Sequence, residues 1–335
     1  MIEQSAKRDY FFDSLKFFLI AVVIFGHVLE AGKCSRLEIA LYNTIYSFHM
    51  PLFVFVSGFL TKKHDDIKAF LCKILRILET YIVFQLIFSL PVIFSGDVPV
   101  SIMIRPFWIL WYLFSLIIWR VFIQFTPQSF LKNWKFVIFL SVFVSLLSGY
   151  VPLSDYFSFQ RTMTFLPFFI IGYLCSNIKD FQIKRTLPTK IVAILYFILL
   201  FSVFYILDTS FSKILYGSSY YTNNIGLVSR FAQILLGCFG GYCFMGGVNG
   251  VKNLRVLSDI GSKTLFFYVY HAFFIILLKR VVNVYNYSLD IVSLIVIFIL
   301  IFLLLYLLSH INLFRFFLNP ISSIYDKKYF NNRRS

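Results

Sequence analysis

Ten long apolar segments succeed one another along this chain and govern what it can fold into. They lie at about residues 11–30, 43–61, 70–95, 106–125, 134–151, 164–178, 189–208, 226–247, 263–281 and 289–310. A helix needs about 17 to 25 apolar residues to cross a bilayer, and a helix satisfies its own backbone polar groups in lipid. We therefore expect an all-α polytopic membrane protein with about ten transmembrane helices.

The composition agrees with this expectation, since 59% of the 335 residues are hydrophobic and 14% are charged. Soluble domains carry about 25% charged residues. No linker between the segments is long enough for a separate soluble domain. We expect residues 1–335 to form a single integral-membrane domain with a short basic cytoplasmic tail at about 312–335. The five cysteines have no CxxC or metal-ligand spacing, so we expect packing roles for them and no metal.

The net charge of +16 follows the membrane topology. With the N-terminus inside, 22 of the 31 lysines and arginines fall on the cytoplasmic side and 8 on the outer side. This bias is the positive-inside pattern, and it puts both termini in the cytoplasm. The basic charge therefore gives no reason to expect nucleic acid as a partner, and we expect a multi-pass protein of the cell membrane in contact with lipid.

Three ionisable residues lie within the first apolar segment, Asp13, Lys16 and His27, and a fourth, Glu30, ends it. Lys16 and His27 are 11 residues apart, which is about three helical turns, so they share a helix face at about 16 Å along the axis. Asp13 lies one turn before Lys16 on nearly the same line. Ionisable groups at membrane depth are costly and usually face a bundle interior or a wet cavity where they act. The line predicts the wall of an active site.

His27 is the candidate general base, because a desolvated neutral imidazole can take a proton from a hydroxyl. Lys16 could meet an anionic or carbonyl-bearing donor that enters from the cytoplasm. The alternative is that His27 bonds a neighbouring helix and Lys16 extends to the interface; the alignment with Asp13 favours a site. Glu30, one turn above His27, either orients the imidazole or is an ordinary interfacial carboxylate.

The second segment adds His49 at its outer end, at a depth similar to that of His27. Pro51 follows, and Ser57 and Gly58 form a small polar notch in mid-helix where another helix or a ligand could approach closely. By itself an interfacial histidine is a weak indication of a functional site. His49 is a stronger one because its expected depth matches that of His27.

These segments resemble the membrane-bound acyltransferase 3 family, and within it the fucose 4-O-acetylase-like subgroup that modifies surface polysaccharides. The resemblance rests on five stretches in order along the chain: Phe12–Lys16 (FDSLK) with His27, Phe48–Leu60 (FHMPLFVFVSGFL), Pro106–Phe114 (PFWILWYLF), Arg161–Tyr173 (RTMTFLPFFIIGY) and Ile260–His271 (IGSKTLFFYVYH). The first two are fairly specific together; the others are moderately so.

The resemblance implies transfer of an acyl group, usually acetyl, from acetyl-CoA to a carbohydrate hydroxyl. It implies that His27 is the essential residue and that Lys16, where the wider family often has arginine, helps to bind the donor. It also points to a basic cluster at the inner start of the third span, here Lys73 and Arg76. The chain departs from the family at Thr80, where proline is usual.

The chemistry of a thioester donor likewise assigns its nucleotide to the cytoplasmic side of the membrane. Its nucleotide diphosphate cannot enter hydrocarbon, so it should stay among the inner cations: Lys62, Lys63, Lys68, Lys73, Arg76, Lys252 and Arg255. The acyl arm would then run past Lys16 towards His27. Oxyanion or acceptor groups could come from His49, Ser57, Arg161 or Asp13, among which the sequence does not choose. His271 could line the same cavity or serve packing.

Two other classes of protein stay open at this point: a polysaccharide or lipid-linked-sugar transporter or flippase, and a glycan polymerase. A transporter of this size should show repeats or helices broken by glycine and proline. A polymerase more often has a large outer loop with arginines and carboxylates. Neither feature is evident. Together with the resemblance to the acyltransferase family, this leads us to expect a bacterial O-acetyltransferase that acts on a capsular, exopolysaccharide or O-antigen sugar, or on its undecaprenyl-linked precursor.

Overall fold

A computed structural model describes residues 10–32, 35–94, 104–152, 156–178, 186–207, 217, 219–223, 226–248 and 255–323. Within these ranges the secondary structure is helical and contains no strand. The α-helices are α1 Tyr10–Ala31, α2 Arg36–Phe59, α3 Ile67–Phe94, α4 Trp111–Phe125, α5 Gln128–Lys132, α6 Trp134–Ser148, α7 Phe159–Ser176, α8 Leu187–Leu207, α9 Tyr220–Asn223, α10 Leu227–Val248, α11 Arg255–Ser262, α12 Thr264–Tyr285, α13 Ile291–Leu308 and α14 Asn312–Leu318.

Each of the ten predicted segments coincides with one of these helices, and the all-α polytopic architecture is confirmed. In the described part of the chain, eight helices are long and apolar enough to cross a membrane. The two others are α6, which is 15 residues long, and α7. Helix α7 begins at Phe159, five residues before the predicted start, because its first turn is polar and escapes a reading of hydrophobicity alone.

Helix α2 begins seven residues earlier than predicted because a capping interaction starts it. The Ser35 backbone N–H donates to the Glu38 carboxylate at 2.7 Å, which is half of the S-x-x-E capping box. The Arg36 side chain donates to the carbonyl oxygens of Tyr205 and Ile206 at 2.6 and 2.7 Å. These carbonyls belong to the last turn of α8 and lack partners within that helix. The polar first turn of α2 thus supplies hydrogen-bond donors to the last carbonyl groups of α8.

The chain divides into two compact units. One comprises Met1–Phe53, Asp180–Ser212 and Leu235–Tyr306; the other comprises Val54–Lys179, Lys213–Ile234 and Leu307–Ser335. In the first unit, α1 packs against α11 and α12. The approach of α11 to α1 is close, since a Cβ atom on Gly261 would overlap the carbonyl oxygen of Asp13. This packing sets the surroundings of the polar line on α1.

In the second unit, the end of α2 crosses α7 at two glycines. A Cβ atom on Gly58 would overlap the carbonyl oxygen of Phe169, and one on Gly172 would overlap that of Phe55. Of the two possibilities that the sequence left open at Gly58, a helix or a ligand, the structure places a helix there. Backbones can come this near only where small residues remove the side chains between them.

Replacing Gly172 with alanine is expected to destabilise the protein by about 3 kcal/mol or more, at the upper end of the cost of overpacking. The new methyl group would displace the backbone of α2 at Phe55. Thermal unfolding of the detergent-solubilised protein, followed by loss of the monodisperse peak in size-exclusion chromatography, measures the change. Gly247→Ala is the matched control, because a methyl group there would meet no atom within 4 Å. Equal unfolding temperatures for the two variants would contradict the tight crossing.

Candidate active site

His27 lies in a cluster of polar side chains within the first unit. Its Nδ1 atom is 2.9 Å from Oε2 of Glu30, one turn further along α1. The hydroxyl of Tyr46, on α2, is 2.9 Å from the same nitrogen and 3.2 Å from Glu30 Oε2. Glu30 therefore contacts the imidazole, which the sequence left as one of two possibilities. A carboxylate that accepts the Nδ1–H proton leaves Nε2 as the nitrogen that can act as a base.

Lys279 completes the charge balance of this cluster. Its Nζ atom donates to Oε1 of Glu30 at 3.0 Å, so each carboxylate oxygen has its own partner. The Glu30 side chain keeps 23% and that of His27 12% of its surface exposed. A partly buried carboxylate with a cation on one side and an imidazole on the other is stabilised in its charged form. Glu30 is therefore suited to hold the imidazole in one orientation.

His271 stacks on His27 from α12. The two ring centroids are 5.3 Å apart with 25° between the planes. His271 is completely buried, and its Nδ1 atom is 3.0 Å from the carbonyl oxygen of Phe267. Its Nε2 atom is buried without a hydrogen-bond partner. The stack fixes one face of the His27 ring, which limits the positions that the imidazole can take.

His49 belongs to the same unit and is also buried. Its Nδ1 atom is 2.9 Å from the carbonyl oxygen of Ile45, and its ring centroid is 4.5 Å from that of Tyr46. Tyr46 thus contacts both His27 and His49. Three histidines therefore gather in the first unit, two of which the sequence analysis ranked as site residues.

Asp13 and Lys16 form an ion pair at the other end of α1, with 2.8 Å between Oδ1 and Nζ. The second carboxylate oxygen of Asp13 accepts a hydrogen bond of 3.4 Å from the hydroxyl of Ser258 on α11. Asp13 is buried and Lys16 is half-buried. The predicted line on α1 thus lies against the consecutive helices α11 and α12 along its length, at Ser258 near one end and at His271 near the other.

Ser57 and Arg161 lie in the second unit, whereas His27 lies in the first. The Ser57 hydroxyl is 2.5 Å from the hydroxyl of the buried Tyr112. The guanidinium of Arg161 stands over the ring of Trp111, 5.6 Å from its centroid, which is a cation–π contact. Arg161 is therefore next to one of the tryptophans of the third motif.

The two predicted donor-binding residues at the start of α3 have different surroundings. Lys73 Nζ is 3.3 Å from Nε2 of His64, in the connection between α2 and α3. Arg76 is exposed. Of the other predicted inner cations, Lys252 lies outside the described residues, as do residues 324–335 of the predicted tail.

The departure from the family motif at Thr80 has a structural reason, which the preceding Glu79 shares. The Glu79 carboxylate accepts hydrogen bonds from the backbone N–H of Ile321 and from the hydroxyl of Ser322, the latter at 2.7 Å. The Thr80 hydroxyl donates to the carbonyl oxygen of Leu318 at 2.8 Å. Both side chains therefore fasten the end of α14 and the turn after it onto α3, and α3 continues unbroken where proline would disturb it.

Sequence reasoning missed Tyr46 and Lys279 and left His271 open between lining the cavity and packing. A signal for each was present. Tyr46 lies three residues before His49, and Lys279 lies eight residues after His271, so each pair shares a helix face. In the described part of the chain no group of three or more His, Cys, Asp and Glu side chains is arranged to hold a metal ion. The imidazole, carboxylate and hydroxyl around His27 are groups that can hold and move a proton.

Comparison with known proteins identifies the family to which the chain is similar. The family model of the acyltransferase 3 family, described as an acyltransferase domain, matches residues 9–310. Among curated relatives, the nodulation protein NolL of Mesorhizobium japonicum is 41% identical over 58 residues, which is 16% of this chain and 16% of NolL. The chain thus aligns with about a sixth of that relative's length. No solved structure matches the chain.

Proposed function

Since the chain belongs to the acyltransferase 3 family and is a membrane acyltransferase, we propose that it transfers an acetyl group from acetyl-CoA to a hydroxyl of a cell-surface carbohydrate. The acceptor would be a capsular, exopolysaccharide or O-antigen sugar or its undecaprenyl-linked precursor, and the protein would work in the bacterial cell membrane. Membership of an acyltransferase family favours this function over transport or polymerisation.

The observation that carries the proposal is the contact of His27 with Glu30. A base whose far nitrogen is held by a carboxylate keeps one tautomer and one direction, which is the logic of nucleophile activation in acyl transfer. Here the activated group would be the sugar hydroxyl. Its proton passes to Nε2 of His27 while its oxygen attacks the thioester carbonyl. The C–S bond then breaks, and His27 returns the proton to the leaving thiolate.

Charge that develops on the carbonyl oxygen needs hydrogen-bond donors. His49, Ser57 and Arg161 remain the candidates for this role or for holding the acceptor. Asp13, whose carboxylate accepts hydrogen bonds and pairs with Lys16, is a candidate for holding the acceptor. Lys16, Lys73 and Arg76 are the candidates for binding the donor. Of these side chains, His49 and Asp13 are buried in the first unit with His27.

The test of the proposal is an acetyl-transfer assay in membranes. Membranes that contain the protein are incubated with acetyl-CoA labelled in the acetyl group and with de-O-acetylated surface glycan from a strain that lacks it. We expect label in the glycan that mild alkali removes, because an ester is formed. Label that reaches only lipid or protein, or that stays on CoA, would refute a carbohydrate acceptor.

A further inference from the structure

A polar cavity of about 160 Å³ lies in the second unit, between the end of α2, the first turns of α3 and the middle of α4. Four nitrogen-bearing side chains line it: Lys62, His64, Lys73 and Arg120. Neither aspartate nor glutamate is among the residues that line it. A cavity with several cations and no carboxylate has an unbalanced positive charge, which favours an anionic ligand.

Arg120 is the residue that makes this cavity unusual. It belongs to a membrane-spanning stretch, and its Nε atom is buried with no hydrogen-bond partner. A guanidinium with an unsatisfied buried N–H is costly, because the lost hydration is not replaced. An anion with several oxygens, such as a phosphate group, would accept hydrogen bonds from the planar guanidinium and remove that cost.

The rim of the cavity is held in place before any ligand arrives. The Gln124 side chain bonds both backbone groups of His64: the His64 N–H donates to Oε1 at 3.1 Å, and Nε2 donates to the His64 carbonyl at 2.8 Å. Lys63 donates to the Thr126 carbonyl. The connection that carries Lys62 and His64 is therefore tied to the last turn of α4, one turn beyond Arg120. A site arranged in advance loses little conformational entropy on binding.

We propose that this cavity binds a phosphate group of the acyl donor, with Arg120 as its anchor and Lys62, His64 and Lys73 as the surrounding donors. The inference rests on the proposed function, which supplies a donor with a nucleotide diphosphate and a further phosphate. It adds Arg120 and His64 to the inner cations already expected near the donor and selects Lys62 and Lys73 among them. It leaves the exposed Arg76 outside the cavity. A lipid headgroup offers the same phosphate chemistry, so the experiment separates the two sources.

The experiment measures CoA binding to the purified full chain by isothermal titration calorimetry in a maltoside detergent, which carries no phosphate. For Arg120→Gln we expect the Kd for CoA to rise at least tenfold, since charge-assisted hydrogen bonds to a phosphate are lost. Lys62→Gln, at an exposed position, should raise it about threefold and does not depend on refolding of a buried site. Lys132→Gln is the matched control, because this exposed cation is not among the lining residues.

Dephospho-CoA identifies the group that binds. A Kd that Arg120→Gln leaves unchanged for dephospho-CoA assigns the cavity to the 3′-phosphate, whereas a rise as large as that for CoA assigns it to the diphosphate; both support the proposal. Wild-type affinity for CoA in Arg120→Gln and Lys62→Gln overturns it. So does a loss of phosphatidylglycerol retention in these variants with CoA binding intact, since the cavity then holds a lipid. Failure of the wild-type protein to bind CoA would instead refute the donor in the proposed function.

Discussion

Replacing His27 with alanine is expected to lower acetyl transfer to the surface glycan by about 10²- to 10⁴-fold, the usual contribution of a general base. The loss should fall on kcat, because the imidazole acts on the proton in the transition state and does not bind the donor. Transfer of labelled acetyl groups in isolated membranes measures it, and NMR of the glycan detects the missing acetyl signal. Membrane abundance is measured alongside, because the side chain contacts Tyr46 and His271 and keeps 12% of its surface exposed.

The matched control is His310→Ala. This histidine is exposed at the end of α13 and lies outside the polar cluster, so its loss should change transfer by less than about twofold, as is usual for surface positions. An unchanged acetyl signal in His27→Ala would remove His27 from the reaction and with it the acid–base mechanism. Loss of the protein from the membrane would be seen by immunoblotting, and in that case His27→Gln, which keeps a polar side chain of similar length, gives the activity measurement.

The second large effect is expected for Glu30→Gln, which should lower kcat by about 10- to 100-fold with little change in the KM for acetyl-CoA. The amide keeps the shape of the side chain but removes the charge that stabilises an imidazolium. It also leaves Lys279 without its ion-pair partner. The same transfer assay, run at saturating donor, measures kcat.

Lys279→Gln separates the two consequences of this change. It leaves the contact between Glu30 and His27 in place, and its own side chain is one-third exposed, so the pair with Glu30 contributes modestly. We expect a fall in kcat of less than about tenfold. If Glu30→Gln retains wild-type kcat, Glu30 is an ordinary interfacial carboxylate and its contact with the ring has no role in the reaction.

Much of the fold follows from hydrophobicity, because each apolar segment must become a helix in lipid. The errors in the predicted helix bounds lie at the polar ends of helices. Hydrophobicity predicts that α2 begins at residue 43, although the S-x-x-E pattern at Ser35 and Glu38 marks the observed start. A criterion of apolar length does not register such a turn, whereas capping chemistry does.

Contacts between site residues on the same helix were predictable from the sequence, whereas contacts between residues on different helices were not. The relation of Asp13 to Lys16 follows from the period of α1, and the two side chains form the expected neighbours. The pairing of Glu30 with Lys279 joins residues 249 positions apart. It depends on which face α12 turns towards α1, and hydrophobic patterns leave that rotation undetermined when a helix is apolar all round. The same holds for the approach of His64 to Lys73 and Arg120 at one cavity.

The attachment of Leu318, Ile321 and Ser322 to α3 has a consequence for biosynthesis. Glu79 is made early, yet the groups of Ile321 and Ser322 that donate hydrogen bonds to its carboxylate are made about 240 residues later. At a usual synthesis rate of about 5 to 20 residues per second, the carboxylate waits on the order of ten seconds or more for its partner. A nascent chain stalled before residue 321 would therefore present the Glu79 carboxylate without the two groups that donate hydrogen bonds to it in the finished protein.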